Sequence, residues 1–171
     1  MRVRFVSALL AATVLSIAPV HAETLTAAAK AVHDGDTLTL TTGQRIRLFG
    51  IDAPELKQQC KVGDTCRPCG DEARKVLNSL ATGPLVCEGR GESYDRVVAR
   101  CTAGEVDLSL AMLETGQAVA YGRYLKKSDP LRAKYLGAEA AAKKAGLGIW
   151  GTKLIPPGDW RNHKMRLECE R

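Results

Sequence analysis

Two short runs of alternating polar and apolar residues, at positions 37–40 and 45–51, constrain the fold of this chain most strongly. Such alternation is typical of half-buried β-strands, because successive side chains of a strand point to opposite faces. Residues 41–44, between the two runs, read Thr-Thr-Gly-Gln and have the composition of a turn. We therefore predict a β-hairpin in which Leu40 lies opposite Arg45.

Periodic patterns elsewhere predict three helices and four more strands around this hairpin. The predicted strands are residues 25–32, 85–88, 97–101 and 117–121. The predicted helices are residues 71–80, a short helix from the N-cap Asp107 through Thr115, and a long helix that Ser128-Asp129-Pro130 opens and Gly146 stops. Residues 147–171 are expected to be irregular. This order suggests a single α+β domain in which helices pack on a small β-barrel. Since aromatic residues make up 5% of the chain, the core must rest on aliphatic side chains.

Carboxylates occur at the ends of the two hairpin strands. Asp36 precedes the first strand and Asp52 follows the second. In the predicted pairing Asp36 lies opposite Phe49, so that Asp52 falls within about 10 Å of it at roughly 3.3 Å per strand residue. Two neighbouring carboxylates repel each other unless a cation lies between them. Hard oxygen ligands without converging Cys or His favour calcium or magnesium.

Three further residues fit phosphoryl chemistry next to such a cation. Glu55 follows Asp52 by three positions, where a carboxylate can accept a proton from water. Arg47 lies on the hairpin, on the face opposite its apolar residues, and Arg96 follows a loop. Guanidinium groups match the crowded, charged oxygens of a phosphodiester undergoing cleavage. The alternative is structural: the Asp-Gly pair at 34–35 is also a common hairpin turn, and alternating arginines often mark a solvated strand face.

The N-terminus has the pattern of a secretory signal peptide. Arg2 and Arg4 precede an uncharged apolar stretch, residues 5–19, and Val20-His21-Ala22 forms a small-x-small cleavage site. A membrane anchor is the alternative, but the apolar stretch is shorter than the roughly 20 residues of a spanning helix. We expect an exported protein, periplasmic or secreted, whose mature chain, residues 23–171, is monomeric and has no membrane span. Its basic character, +6 for the full chain before two arginines are lost, suits a polyanionic partner.

The chain contains six cysteines, and an even number in an exported protein favours disulfides. Cys66 and Cys69 form a C-x-x-C motif, which could also serve redox chemistry or zinc, although no thioredoxin-like pattern surrounds it and few histidines accompany it. Cys87 and Cys101 are the best pair, because they face each other across a predicted hairpin. The pairs Cys60–Cys69 and Cys66–Cys169 would complete the set, among many possible connectivities.

Several separated motifs resemble those of the thermonuclease (staphylococcal nuclease) family. They are V-H-D-G-D-T-L-T-L with R-I-R-L-F-G-I-D-A-P-E, then S-Y-D-R-V-V-A-R-C, D-L-S-L-A-M-L-E-T-G-Q-A-V-A-Y and A-E-A-A-A-K-K-A-G-L-G-I-W-G. They occur in the family's order over residues 31–150 and leave 151–171 as a tail, in which P-P-G-D-W-R resembles exported bacterial members. The resemblance implies a five-stranded OB-fold barrel with about three packed helices. It also implies calcium-dependent hydrolysis of DNA and RNA.

The resemblance further implies a role for each site residue. Asp36 and Asp52 would be the calcium carboxylates, and Ala53 would offer its backbone carbonyl to the metal. Glu55 would be the general base that activates water. The phosphate-binding arginines would be Arg47 and Arg96.

The sequence departs from the family pattern at the expected rim of the site. Ser93 replaces a lysine, and Asp95 stands beside Arg96, which should weaken contact with a terminal phosphate. The cysteine-containing insert, residues 60–69, could narrow access. Tyr94 retains an aromatic hydroxyl for contact with a base or a phosphate.

Tyr121 and Tyr124 would supply the other stacking rings.

Two other classes of function remain open at this point. One is a barrel that binds nucleic acid or protein without cutting it, and the other is a disulfide-stapled protein with a structural or inhibitory role. Both differ from a nuclease in predicting no cleavage that a chelator abolishes.

Overall fold

The computed structural model describes residues 23–162, 165 and 167–170, so the predicted signal peptide lies outside the described residues. The strands are β1 (Thr24–Val32), β2 (Thr37–Leu40), β3 (Arg45–Leu48), β4 (Ile51–Asp52), β5 (Cys60–Val62), β6 (Thr65–Arg67), β7 (Pro84–Ser93), β8 (Arg96–Ala103), β9 (Val106–Asp107) and β10 (Val119–Ala120). The helices are α1 (Cys69–Leu80), α2 (Leu108–Glu114), α3 (Arg132–Ala145) and α4 (Pro157–Arg161). Short 3-10 turns cover Gly148–Gly151 and Glu168–Glu170.

Five of these strands form a closed barrel. β1 pairs antiparallel with β2 on one side and with β7 on the other, β2 pairs with β3, and β7 pairs with β8. A parallel pairing between β3 and β8 closes the ring. The α+β, five-stranded OB-fold barrel expected from the sequence is therefore confirmed, with helices packed around it.

The register of the β2–β3 hairpin differs from the prediction by one residue. Arg45 lies opposite Thr39 rather than Leu40. Leu40 instead donates its backbone N–H to the carbonyl oxygen of Gln44 at 2.9 Å, which leaves a three-residue loop. Gly43 closes that loop with a φ of +88°, a conformation that glycine adopts without steric cost. Each residue of β2 therefore pairs one position earlier along β3 than predicted.

The second predicted strand, residues 45–51, is divided in two. Phe49 and Gly50 separate β3 from β4, and β4 leaves the barrel to pair with β10. Asp52 thereby lies opposite Val119, at the end of the barrel rather than on its wall. Because of this division, the second strand of the hairpin ends at Asp52 beside β10 instead of continuing along the barrel.

Aliphatic side chains fill the barrel and the helix interfaces. The fully buried set includes Leu38, Leu40, Ile46, Leu48, Ile51, Leu77, Leu85, Leu108, Met112 and Leu113. Burying one such side chain contributes about 1.5–3 kcal/mol, so this set supplies the main driving force for folding. The low aromatic content of the chain is consistent with such a core.

The three predicted helices are present with shifted ends. α1 begins at Cys69, two residues before the predicted start, and α3 begins at Arg132, after Pro130. Gly146 ends α3 in the left-handed conformation, as predicted. Ala145, the last residue of α3, is exposed. Within the described ranges no helix has the length and apolarity needed to cross a bilayer.

The tail is not irregular, and the cysteine insert has its own structure. α4 forms where Pro157 occupies the first helical turn, because the fixed φ of proline suits that position. The insert contains the small hairpin β5–β6. Disulfides join Cys60 with Cys69, Cys66 with Cys169, and Cys87 with Cys101, which are the pairings named from the sequence. One of them fastens the tail to the insert.

Candidate active site

A cavity of about 480 Å³ lies at one end of the barrel. Its lining includes six residues singled out from the sequence: Arg47, Glu55, Tyr94, Arg96, Tyr121 and Tyr124. Asp34, Arg123, Arg161 and Asn162 also line it and were not foreseen as site residues. The cavity therefore combines cationic, acidic and aromatic side chains.

Arg47 joins the two predicted metal carboxylates. Its Nη1 atom donates to Asp36 Oδ1 at 2.6 Å, and its Nη2 atom donates to Asp52 Oδ1 at 2.8 Å. All three side chains are buried, at 8%, 4% and 4% exposure. Burial opposes the charge on Arg47, but the two carboxylates outweigh it and raise the pKa of the guanidinium. The shifted hairpin register thus still brings Asp36 and Asp52 to one point.

Asp36 is held in place on both of its oxygens. Thr37 Oγ1 donates to Oδ1 at 2.9 Å, and the backbone N–H of Ala53 donates to Oδ2 at 3.0 Å. Burial raises the pKa of Asp36 to about 7, and Arg47 opposes that rise. The nearby charge of Asp34 adds to the rise. Any cation that binds here would favour the ionised carboxylate.

Glu55 lies at the rim of the cavity, about a quarter exposed. Its backbone N–H donates to Gln58 Oε1 at 3.2 Å. The first turn of α1 packs directly beneath it, so that a side chain on Gly70 would collide with the backbone carbonyl of Glu55. The helix start and the Gln58 side chain together fix the backbone of this residue next to Asp52.

Arg96 lines the cavity from the start of β8, the strand that pairs with β3. It is half-buried, and its Nη1 atom donates to Thr37 Oγ1 at 3.3 Å. The neighbouring carboxylate of Asp95 forms an ion pair with Arg45. The hydrogen bond from Arg45 lowers the pKa of Asp95. Asp95 therefore has a cationic partner of its own beside the cavity.

The three predicted substrate tyrosines all line the cavity, but they differ in their packing. Tyr94 is 96% exposed and stands at the tip of the β7–β8 hairpin with a φ of +58°. Tyr121 and Tyr124 form an edge-to-face pair with ring centroids 5.2 Å apart. Tyr124 also packs against Phe49, at 6.2 Å between centroids. The exposed ring of Tyr94 and the packed rings of Tyr121 and Tyr124 thus line the same cavity as the two arginines.

The donor chemistry of Asp36 and Asp52 fits a hard divalent cation. Calcium takes about six to eight oxygen ligands, among which backbone carbonyls and waters are common. In the part of the chain that the structure describes, no group of three or more His, Cys, Asp or Glu is arranged to hold a metal ion. A calcium ion here would therefore depend on the two carboxylates, a backbone oxygen such as that of Ala53, and water.

Among the lining residues that sequence reasoning missed, Arg161 contacts two of the predicted site carboxylates. Its Nη1 atom donates to Asp52 Oδ1 at 2.9 Å and to Glu55 Oε1 at 2.7 Å, and its Nη2 atom donates to Asp52 Oδ2 at 2.9 Å. These carboxylates raise the pKa of Arg161 above its usual range, against the effect of burial. The Pro-Pro pair before it was the available signal, since proline in a first turn predicts a helix start.

The fold and this cavity define an OB-fold barrel protein with acidic and arginine side chains converging at one end. The chain matches the family described as "Staphylococcal nuclease homologue" over residues 45–152. It belongs to this family. The resemblance drawn from its motifs is therefore confirmed.

Individual relatives show how far the similarity extends. The chain is 33% identical over 153 residues to the succinoglycan biosynthesis protein ExoI of Rhizobium meliloti, covering 86% of this chain and 75% of that protein. It is 34% identical over 132 residues to the probable endonuclease LCL3 of Candida tropicalis, covering 72% and 55%. With LCL3 of Saccharomyces cerevisiae it shares 35% over 125 residues, covering 68% and 44%. The chain thus spans about half the length of these two LCL3 proteins.

Proposed function

We propose that this protein is an exported, calcium-dependent nuclease that hydrolyses phosphodiester bonds of DNA and RNA. The observation that carries the proposal is the bridge from Arg47 to both Asp36 and Asp52, beside a cavity that Glu55 and Arg96 also line. The carboxylates of the two aspartates and of Glu55 thus lie close to the guanidinium groups of Arg47 and Arg96, as a site for one phosphodiester requires. The relatives named as probable endonucleases support cleavage within a strand.

Each side chain has a role in this proposal. Asp36, Asp52 and the Ala53 carbonyl would hold calcium, which when bound would offset the acidic charge and polarise the phosphoryl group. Glu55 would take a proton from the attacking water, for which its place at the cavity rim is suited. Arg47 and Arg96 would donate to the phosphoryl oxygens as negative charge develops on them.

The tyrosines would bind the substrate on either side of the scissile phosphate. Tyr94 is exposed enough for a base to stack on its ring, and the Tyr121–Tyr124 pair offers a fixed aromatic surface. Stacking of this kind tolerates any base and both sugars, which supports action on DNA and RNA alike. We propose that the protein acts as a monomer, since all these residues belong to one chain.

Export is supported by the N-terminal sequence pattern and by the cysteines. The signal-like residues 1–22 would direct the chain out of the cytoplasm. Three disulfides suit an oxidising compartment such as a periplasm or the exterior. We propose one of these two locations.

The test is cleavage of plasmid DNA and of a structured RNA by the purified, oxidised protein, with calcium, with magnesium and with excess chelator. We expect cutting with calcium and none with chelator. Retention of nucleic acid without cutting under every metal condition would instead identify a binding module.

Glu55→Gln tests the proposed base directly. The variant keeps the size of the side chain but cannot take up a proton, so we expect kcat to fall about 10²–10⁴-fold. Glu72→Gln is the matched control, because Glu72 is 29% exposed and 2.7 Å from Arg67, whereas Glu55 is 27% exposed and 2.7 Å from Arg161. Wild-type turnover in Glu55→Gln would remove Glu55 from the mechanism.

A further inference from the structure

The guanidinium of Arg161 engages the very oxygens that the proposed function assigns to a cation. It donates to both carboxylate oxygens of Asp52, each at 2.9 Å, and also to Glu55. Paired, charge-assisted hydrogen bonds of this kind are among the stronger polar contacts in proteins. Asp52 Oδ1 receives a second guanidinium, from Arg47. Both oxygens of the Asp52 carboxylate thus accept hydrogen bonds from arginine, whose positive charge offsets the negative charge of Asp52.

The tail that carries this arginine is anchored to the body of the protein. The disulfide from Cys169 to Cys66 ties the tail to the hairpin of the cysteine insert. Before α4, the side-chain amide of Gln58 donates to the carbonyl oxygen of Ile155 at 2.6 Å, and Gln58 is fully buried. α4 is therefore held on both sides in sequence, and its last side chain points into the cavity.

A divalent cation and the Arg161 guanidinium would compete for the lone pairs of Asp52, because Asp52 Oδ1 already accepts from both Arg47 and Arg161. The charges of the cation and of the guanidinium also repel each other, and this repulsion is strong where Asp52 is 3% exposed and water screens little. Without Arg161, Asp52 Oδ2 would lose the donor at 2.9 Å and the site would lose one positive charge. Both changes would favour the binding of a divalent cation at Asp52.

We propose that Arg161 sets the calcium affinity of this site by competing with the cation for Asp52, and that the Cys66–Cys169 disulfide holds the competitor in place. The inference rests on the calcium site of the proposed function. Release of Arg161 from Asp52 also releases Glu55, because one Nη1 atom serves both carboxylates. Arg161 thus acts on the site as a positioning residue as well as a competitor.

The experiment is isothermal titration of calcium into the purified, oxidised protein. For Arg161→Gln we expect a Kd about ten-fold lower than that of the wild type, which corresponds to about 1.4 kcal/mol at 25 °C. Arg74→Gln is the matched control, since Arg74 is 32% exposed and 2.7 Å from Asp71, whereas Arg161 is 34% exposed. The control should keep the wild-type Kd.

The double variant Cys66→Ser/Cys169→Ser tests the tether, with circular dichroism to confirm that it remains folded. We expect its Kd to fall in the same direction as that of Arg161→Gln, but by less. A wild-type Kd in this variant would overturn the role of the disulfide.

The possible failures can be told apart. Calcium binding by the wild type with an equal or weaker affinity in Arg161→Gln would overturn the competition and leave the proposed calcium site intact. Absence of calcium binding in both proteins would overturn the proposed calcium site together with this inference.

Discussion

Arg47 illustrates how a single side chain can follow a strand pattern and still be buried. The alternation of β3 assigns it to the face opposite Ile46, which a sequence pattern would give to solvent. At this end of the barrel that face is covered, because Asp36 and Asp52 lie against it and bond to its guanidinium. A pattern reports the face of a strand but not what covers that face.

Arg47→Lys should separate charge from geometry at this position. Lysine keeps the charge but has a single ammonium group, so it cannot donate to both carboxylates in the same fork. We expect kcat for a DNA substrate to fall about 10²-fold or more and the free energy of unfolding to fall by about 1–3 kcal/mol. Turnover assays and urea titration measure the two effects. Wild-type values for both would show that the bridge has no role.

Residues close in sequence were found more readily than residues brought together by the fold. Asp52 and Glu55 are three positions apart and Arg47 shares their hairpin, so spacing alone placed them near one another. Arg161 contacts Glu55 across a separation of 106 residues. No local pattern reports such a contact, because it depends on where the tail crosses the barrel.

At the scale of elements, Asp107 links a helix start to the barrel and to α3. Its carboxylate accepts the backbone N–H of Leu110 at 3.1 Å and so caps α2. It also accepts hydrogen bonds from the buried hydroxyl of Tyr135, at 3.0 Å to each oxygen, and from Arg100 Nε at 2.8 Å. One side chain thereby joins β8, α2 and α3.

Asp107→Ala should therefore cost more than the loss of a helix cap. A cap contributes about 1 kcal/mol, and the Tyr135 hydroxyl would be left buried without this partner at a further cost of about 1–3 kcal/mol. We expect the free energy of unfolding, from urea titration, to fall by about 2–4 kcal/mol. Asp71→Ala, which removes a surface ion-pair partner of Arg74, should change it by less than about 1 kcal/mol. Equal losses in the two variants would contradict the linking role.

Elements with strong periodicity were predicted from sequence, whereas their ends and short irregular pieces were not. The N-cap Asp107 and the C-terminal Gly146 were predicted from sequence because each acts on residues next to it in the chain. The register of the hairpin was wrong by one, since it depends on the conformation of Gly43 in the loop. The β5–β6 hairpin and α4 lacked a strong pattern. The hairpin contains Cys60 and Cys66, and the tail that includes α4 is tied to it through Cys169.

Over the whole molecule, the disulfides divide between the barrel and its attachments. Cys87–Cys101 crosses directly opposed positions of β7 and β8, and both residues are fully buried. Cys60–Cys69 ties the insert to the start of α1. Cys66–Cys169 joins residues 103 positions apart and so encloses most of the domain in one covalent loop.

That long loop allows a prediction about cooperativity. In the chain-entropy account a cross-link stabilises the protein by restricting the unfolded chain, and a loop of this size should add about 5 kcal/mol. If the tail and barrel unfold together, Cys66→Ser/Cys169→Ser should lower the free energy of unfolding by about that amount, and the urea midpoint with it. It should also raise the m-value, because the unfolded chain expands. An unchanged midpoint would mean that the tail detaches before the barrel unfolds. In that case α4 would dock as a separate unit, and Arg161 would leave Asp52 without any loss of the fold around it.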